Sequence, residues 1–302
     1  VKCMSVLRRL REMRNTSIES LSKELSITID EIEEWEEHTE KISKKSLSSL
    51  YYFLGCSSVD LLNLCRKNFI FKIQTSVYNV FAHEEYEDGW WGHLGLCPKG
   101  EKYSKWFPIT LDTANRVSNL LSTADSKNTW IEVETLNNRT LLFNPFTINR
   151  VWLLDEGADQ PSDDWHIETE DYDPMPSEFY NGLEKYYWDS IDMSDDESIS
   201  DYVMKEVELY TEINDLGIEQ IRKLIIETQI YTIDGEKFSR EVTDCRLSEI
   251  LFYTEGLDEK KILNFGGDEY DLYIPLTQVS VISMPKNLID NYNEKERLEY
   301  ED

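Results

Sequence analysis

Apolar residues recur every three to four positions from Val6 to Leu64, whereas beyond residue 69 they tend to alternate. A helical period followed by a strand period predicts an α+β chain, helices first and sheets after, with a boundary near residue 70. Charge marks the same boundary. Residues 1–72 carry 12 Lys/Arg and 11 Asp/Glu, while the remainder carries 19 and 49. The formal charge of −29 over 302 residues opposes non-specific adhesion to nucleic acid or anionic lipid and favours a basic partner. A hydrophobic fraction of 40% excludes disorder throughout. Four segments are expected: 1–68 helical, 69–156 a first β-rich module, 157–215 an acidic insertion or linker, and 216–302 a second β-rich module with an acidic tail.

The acidic segment has a mixed character. Asp155 to Asp201 holds 17 acidic residues and a single basic one, Lys185, which reads as a solvated surface. It also holds Trp165, Tyr172, Phe179, Tyr180, Tyr186, Tyr187 and Trp188. Disordered acidic tracts are poor in aromatics, so part of it is expected to pack or bind.

The first 65 residues read as four or five short helices. Leu7, Leu10 and Met13 mark the first; Ser17 caps a second over Ile18 to Leu25; Thr28 caps a third carrying Ile32 and Trp35. A fourth runs through Leu47, Leu50, Tyr51 and Leu54 to Gly55, and a fifth starts at Ser57 or Ser58. The string Leu7-x-x-Leu10-Arg11, Ser17-x-x-x-Leu21-Ser22-x-x-Leu25-Ser26-Ile27-Thr28-x-x-x-Ile32-x-x-Trp35-Glu36, completed by Leu47-x-x-Leu50-Tyr51-x-x-Leu54-Gly55, resembles the Xre/Cro-repressor type of helix-turn-helix over residues 3–65. The resemblance implies a five-helix domain, double-stranded DNA as partner, a homodimer, and a third helix lying in the major groove.

On that resemblance the contact residues are Ser17, Ile18, Thr28, Ile29, Asp30, Glu31, Glu33 and Glu34, with Lys41, Lys44, Lys45 and the arginines of the first helix on phosphates. The chain departs from the family here. Its third helix carries carboxylates, Glu36 and Glu37 included, where the family carries polar or basic side chains, and Ile18 replaces an amide. Phosphate repels such a surface. Two functions from different classes follow. One is a non-enzymatic DNA-binding transcriptional regulator with a β-rich half that binds a partner or effector. The other is an acidic protein-interaction or inhibitor module, a mimic of DNA charge for a basic protein.

The β-rich half predicts strands at Trp90–Leu96 and Lys105–Ile109, a helix at Leu111–Leu121, a hairpin around Asn137-Asn138, and a strand after Pro145. Phe69, Phe71, Ile73 and Val77 fit either a helix or a strand. Two strings recur. Val133-x-Thr135-Leu136-Asn137-Asn138-Arg139 matches Ile230-x-Thr232-Ile233-Asp234-Gly235-Glu236, and Pro145-Phe146-Thr147-x-x-x-Val151 matches Pro275-Leu276-Thr277-x-x-x-Val281. They predict a duplicated small β unit, the second copy longer by an insertion near Lys237–Glu269. Each unit loosely resembles an Sm-like small barrel.

Chemistry-bearing motifs are few. His38, His83, His93 and His166 stand singly, without ligand spacing for zinc. Asp163-Asp164 and Asp195-Asp196-Glu197 lack the spaced ligands of a calcium loop. No phosphate loop or nucleophile elbow occurs. Five scattered cysteines, the absence of a long apolar run and the absence of a charged-then-apolar leader predict a cytoplasmic protein without disulfides or membrane span. No cofactor, metal or catalytic residue is expected. Trp90, Trp91, Trp106, Phe107 and Trp130 are expected mostly in a core, with any surplus lining an aromatic groove.

Overall fold

A computed structural model describes residues 6–56, 90–124, 129–166, 174–190, 198–255, 262–266 and 271–299. The fifth helix expected after Ser57 and the ambiguous segment through Val77 lie outside the described residues. The chain divides into two compact units, Val1–Asn79 with Pro176–Leu216, and Val80–Met175 with Gly217–Asp302. Helices come first and antiparallel sheets after, as the change of period requires.

The first unit opens with α1 (Val6–Met13), α2 (Ile18–Leu25), α3 (Ile29–Glu37), a 3-10 turn at Thr39–Lys41, and α4 (Lys44–Leu54). Local chemistry sets each boundary. The Ser17 hydroxyl accepts from the Ser20 N–H, and Ser43 accepts from Ser46. Thr28 and Glu31 bond each other's backbone N–H in a reciprocal cap. Ser26, at φ 55°, makes the sharp bend between α2 and α3, and Gly55, at φ 64°, ends α4. Leu7, Leu10, Leu21, Ile32, Leu50 and Leu54 form the core, with Leu25 and Trp35 partly buried against it. Each such burial contributes about 1.5–3 kcal/mol.

The division of the chain differs from the sequence expectation. The segment 157–215 is not a linker: α6 (Ser177–Ser190) and α7 (Asp201–Ile213) lie within it and complete the first unit. Phe179, Tyr180, Leu183, Val203 and Val207 are buried, and the Phe179 ring meets Tyr210 edge-on at 5.0 Å. Gly182 lets the two helices approach, since a Cβ there would lie 2.8 Å from Val203 Cγ1. The Ser200 N–H donates to the Ser48 hydroxyl on α4 at 3.1 Å, and Tyr202 meets Tyr52 edge-on at 5.7 Å. Phe179 and Tyr180 of the acidic tract therefore help to anchor it, and not all of its carboxylates are outside, since Glu178 is buried as well.

The second unit contains β1 (Trp90–Cys97), β2 (Lys105–Thr110), α5 (Leu111–Thr123), β3 (Ile131–Glu134), β4 (Arg139–Phe143) and β5 (Arg150–Asp155). After the excursion into the first unit come α8 (Ile218–Ile225), β6 (Glu227–Thr232), β7 (Lys237–Glu241), α9 (Asp244–Glu255), β8 (Ile262–Asn264), β9 (Tyr273–Pro275), β10 (Val279–Pro285) and α10 (Lys286–Glu299). The sheet orders are β2-β1-β5, β3-β4-β10-β6-β7 and β8-β9, all antiparallel.

Central strand β10 is buried along its whole length, because both faces of its sheet carry a core. Ile282 stands in register with Leu142 and Ile230, and these pack with Leu247, Ile250, Leu263 and Ile274. Val281 stands in register with Phe143 and Tyr231, and these pack with Leu94, Leu96, Ile109, Ala114 and Val117. A strand buried on both faces loses the alternation of a half-solvated one.

The unit repeats its own order of elements. The order β1-β2-α5-β3-β4-β5 repeats as β6-β7-α9-β8-β9-β10, and in each copy the last strand pairs antiparallel with the first. Ala114 and Val117 on α5 correspond to Leu247 and Ile250 on α9, buried at the same three-residue spacing. Pro145 and Pro275 precede equivalent strands. The other matched string does not fall at equivalent places, because the Thr135–Arg139 turn closes the second hairpin of its copy and Thr232–Glu236 the first. The two turns match because they share one local bonding scheme. Each threonine hydroxyl donates to the Asx side chain two residues on and accepts from the N–H four residues on. Residues 237–269 are accordingly no insertion: the described part supplies β7, α9 and β8, the counterparts of β2, α5 and β3. The copies also share a sheet, since β4 of one pairs with β10 of the other.

Candidate functional site

Three-residue turn Ser26-Ile27-Thr28 presents the start of α3, where Ile29 is 41% exposed. Asp30, Glu31, Glu33, Glu34 and Glu37 are exposed along the same helix. These carboxylates differ in their bonding. Glu31 accepts from the Thr28 hydroxyl at 2.7 Å and the Thr28 N–H at 3.0 Å, and those bonds hold its carboxyl below the usual range. Glu34 accepts from Lys41 at 2.6 Å, a charged hydrogen bond that lowers its carboxyl likewise.

Glu36 departs from the sequence reading. It is buried and accepts from the Arg11 Nε at 2.7 Å, while Arg11 Nη1 donates to the Thr16 carbonyl. The other arginines in and after α1 differ from Arg11 in their surroundings. Arg8 pairs with Glu12 one turn on, and the Arg14 Nε donates to the Leu54 carbonyl at 3.0 Å at the end of α4. Arg11 and Arg14 are thus used within the unit, whereas Arg8 and Arg9 are exposed.

The expected site residues therefore separate into three groups. Ser17 and Thr28 serve as caps. Ile18 is half-buried against the core rather than turned outward. Ile29, Asp30, Glu31, Glu33 and Glu34 do share the outer side of α3, and Lys41, Lys44 and Lys45 follow it, all exposed. Lys45 lies 3.6 Å from Asp201 at the start of α7. The exposed carboxylates of α3, Asp30, Glu31, Glu33, Glu34 and Glu37, outnumber the three lysines that follow it.

The second unit holds a cluster that residue spacing did not reveal. Asp164, 3% exposed, accepts from the Ser104 N–H and hydroxyl, from Arg150 Nε and Nη2, and from the Trp152 indole, all between 2.7 and 3.0 Å. Burial alone would raise its carboxyl; the bonds from Arg150, Ser104 and Trp152 outweigh that and hold it at about 2. Around it the outer face of the β2-β1-β5 sheet is aromatic. Trp106 and Trp152 flank Gly95, where a Cβ would lie 2.8 Å from the Trp106 ring. Trp165 packs at a tilt against Trp106, 4.6 Å between ring centroids, and meets the buried His93 at 5.3 Å, and burial pushes that imidazole down to about 4. Trp106 is buried there, with Trp152 and Trp165 half-buried beside it. The sequence signal of Asp164 is only an Asp-Asp pair before a tryptophan, which no motif distinguishes.

Among the described residues no group of three His, Cys, Asp or Glu could hold a metal ion, and no helix is long and apolar enough to cross a membrane. No protein-family model, curated protein or solved structure matches the chain.

Proposed function

We propose that the first unit uses a helix-turn-helix scaffold as an acidic docking face for a basic protein, mimicking DNA charge rather than reading a DNA groove. The observation that carries this reading is the outer face of α3, where Asp30, Glu33, Glu34 and Glu37 are exposed and the nearby cations Lys41 and Lys45 meet Glu34 and Asp201. A helix in a DNA groove gains affinity when its cations displace counter-ions from phosphates; carboxylates displace none and are repelled. Toward a basic protein the same field attracts, speeding encounter and selecting partners by charge.

A DNA-binding transcriptional regulator is the second reading. One feature favours it: the three-residue turn and exposed start of α3 are what a recognition helix needs to reach base edges. Fluorescence anisotropy separates the two. The full chain at roughly 50 mM salt is titrated into a labelled duplex from its own upstream region and into a labelled Lys/Arg-rich peptide. Peptide binding that weakens with salt, without duplex binding, is expected. Sequence-selective duplex binding would replace the proposal with the second reading.

A further inference from the structure

In the second unit two apolar rows face each other between the sheets, and both end in polar residues at one rim. On β2 the inward side runs Ile109, Phe107, Lys105. On the five-stranded sheet the row Phe143–Val281–Tyr231 gives way to Leu141–Ser283–Gln229, with Arg139 two residues before Leu141 on the same face. A cavity of about 220 Å³ opens there, lined by Glu101, Tyr103, Lys105, Phe107, Arg139, His166, Gln229 and Ser283.

The polarity of this rim is unusual for the space between packed sheets, which apolar side chains ordinarily fill. Ser283 and Arg139 are each 3% exposed, so the hydroxyl and guanidinium belong to the interior and not to a solvated edge. Structure holds their orientation. The Arg139 guanidinium is fixed by the Glu227 and Lys223 carbonyls, at the end of α8 and the start of β6. The Gln229 Oε1 accepts from the Tyr231 hydroxyl at 3.0 Å, which directs the amide's acceptor to the protein and reserves its N–H donors. Tyr103 is held by the His166 ring at 3.9 Å. Two cations, a hydroxyl and amide donors thus line one small cavity and outnumber its one carboxylate, Glu101, in a chain whose formal charge is −29.

We infer that this cavity binds a small oxyanion, a carboxylate or a phosphate group on a metabolite-sized molecule. Its volume falls below the ~300–1,000 Å³ of sites for drug-sized ligands, which limits the occupant to a few carbons around the anionic group. Lys105 and Arg139 supply the attracting field, and Ser283 and Gln229 supply directed donors. Phe107 and the neighbouring apolar rows take any hydrocarbon portion. The inference is independent of the docking face proposed for the first unit, and either can fail without the other.

Thermal unfolding and calorimetry of the full chain test it, with sodium phosphate and sodium succinate against sodium chloride at matched ionic strength. A saturable rise in Tm with phosphate, succinate or both is expected, following mass action for a ligand of the folded state; which anion acts names the oxyanion. Lys105→Gln, at the half-buried rim, should weaken that binding about tenfold while leaving the anion-free Tm in place. Ser283→Val should do the same, and if it does not fold, Lys105→Gln alone decides. Equal Tm values in all three salts overturn the inference, as does anion binding that Lys105→Gln leaves unchanged.

Discussion

The Arg11 guanidinium donates to the Glu36 carboxylate at 2.7 Å with both side chains almost fully buried, and this one bond ties α1 to α3. Breaking a buried pair from one side strands the other charge. Arg11→Ala should therefore cost about 3–5 kcal/mol, a large part of a small unit's stability. Urea unfolding followed by circular dichroism checks this. Were Glu36 a solvated groove residue, the change would stay within about 0.5 kcal/mol.

Glu36 also shows how the sequence both reveals and hides. It lies four residues after Ile32, on the same stripe of α3, so helical phase alone assigns it inward. Its charge argues outward, and nothing local says that Arg11, 25 residues earlier, waits to receive it. The amino-terminal helices were legible because their caps and leucine spacing are local. The place of α6 and α7 was not, since the aromatics there announce packing without a partner and the Ser48–Ser200 bond spans 152 residues. In the repeat, a Thr-x-Asx turn scheme recurring for local reasons was matched to itself, while equivalence of the copies is set by strand pairing.

The helical hairpin supplies a second prediction. Gly182→Ala places a methyl against the stiff, β-branched Val203, where no flexible side-chain end can yield. Prising α6 from α7 should cost about 1–3 kcal/mol, read as a lower urea midpoint. The same packing implies that a 1–68 fragment melts at lower temperature than one that joins 1–79 to 176–216. Equal melting temperatures would mean that α6 and α7 do not stabilise the amino-terminal helices.

Asp164 predicts an acid-range effect. Its carboxyl titrates at about 2 in the folded chain, below the ordinary value of 3.8, so folding favours the ionised form. That contribution is fully present above pH 4 and is lost as pH falls toward 2. It amounts to about 2 kcal/mol, from roughly 1.4 kcal/mol per pKa unit. Asp164→Asn should lower stability at neutral pH and flatten its decline between pH 4 and 2 relative to the parent. Tryptophan emission should shift with it, since the Trp152 indole donates to the carboxylate and the Trp106 indole to the Asp164 carbonyl. Parallel pH profiles for the two proteins would remove Asp164 as the source.

The outer face of α3 supplies the last prediction, and its bonding dictates which residues to change. Glu31 closes the cap with Thr28, so replacing it would cost about 0.5–2 kcal/mol of helix stability and confuse the result. Glu36 is buried, and Glu34 holds Lys41. Asp30→Ser, Glu33→Ser and Glu37→Ser together remove three negative charges while leaving the core residues Ile32 and Trp35 in place. Exposed charge pairs contribute about 0.2–1 kcal/mol each, so affinity for a Lys/Arg-rich peptide should fall about tenfold. Non-specific duplex binding should rise in the same protein, because the repulsion that opposed phosphate is relieved and Lys44 and Lys45 are then less outweighed. A regulator that reads cytosine through these carboxylates would behave in the opposite sense, losing sequence preference on the triple change. If neither peptide nor duplex binding moves, α3 is a solvated surface without a role in recognition, and the docking proposal falls.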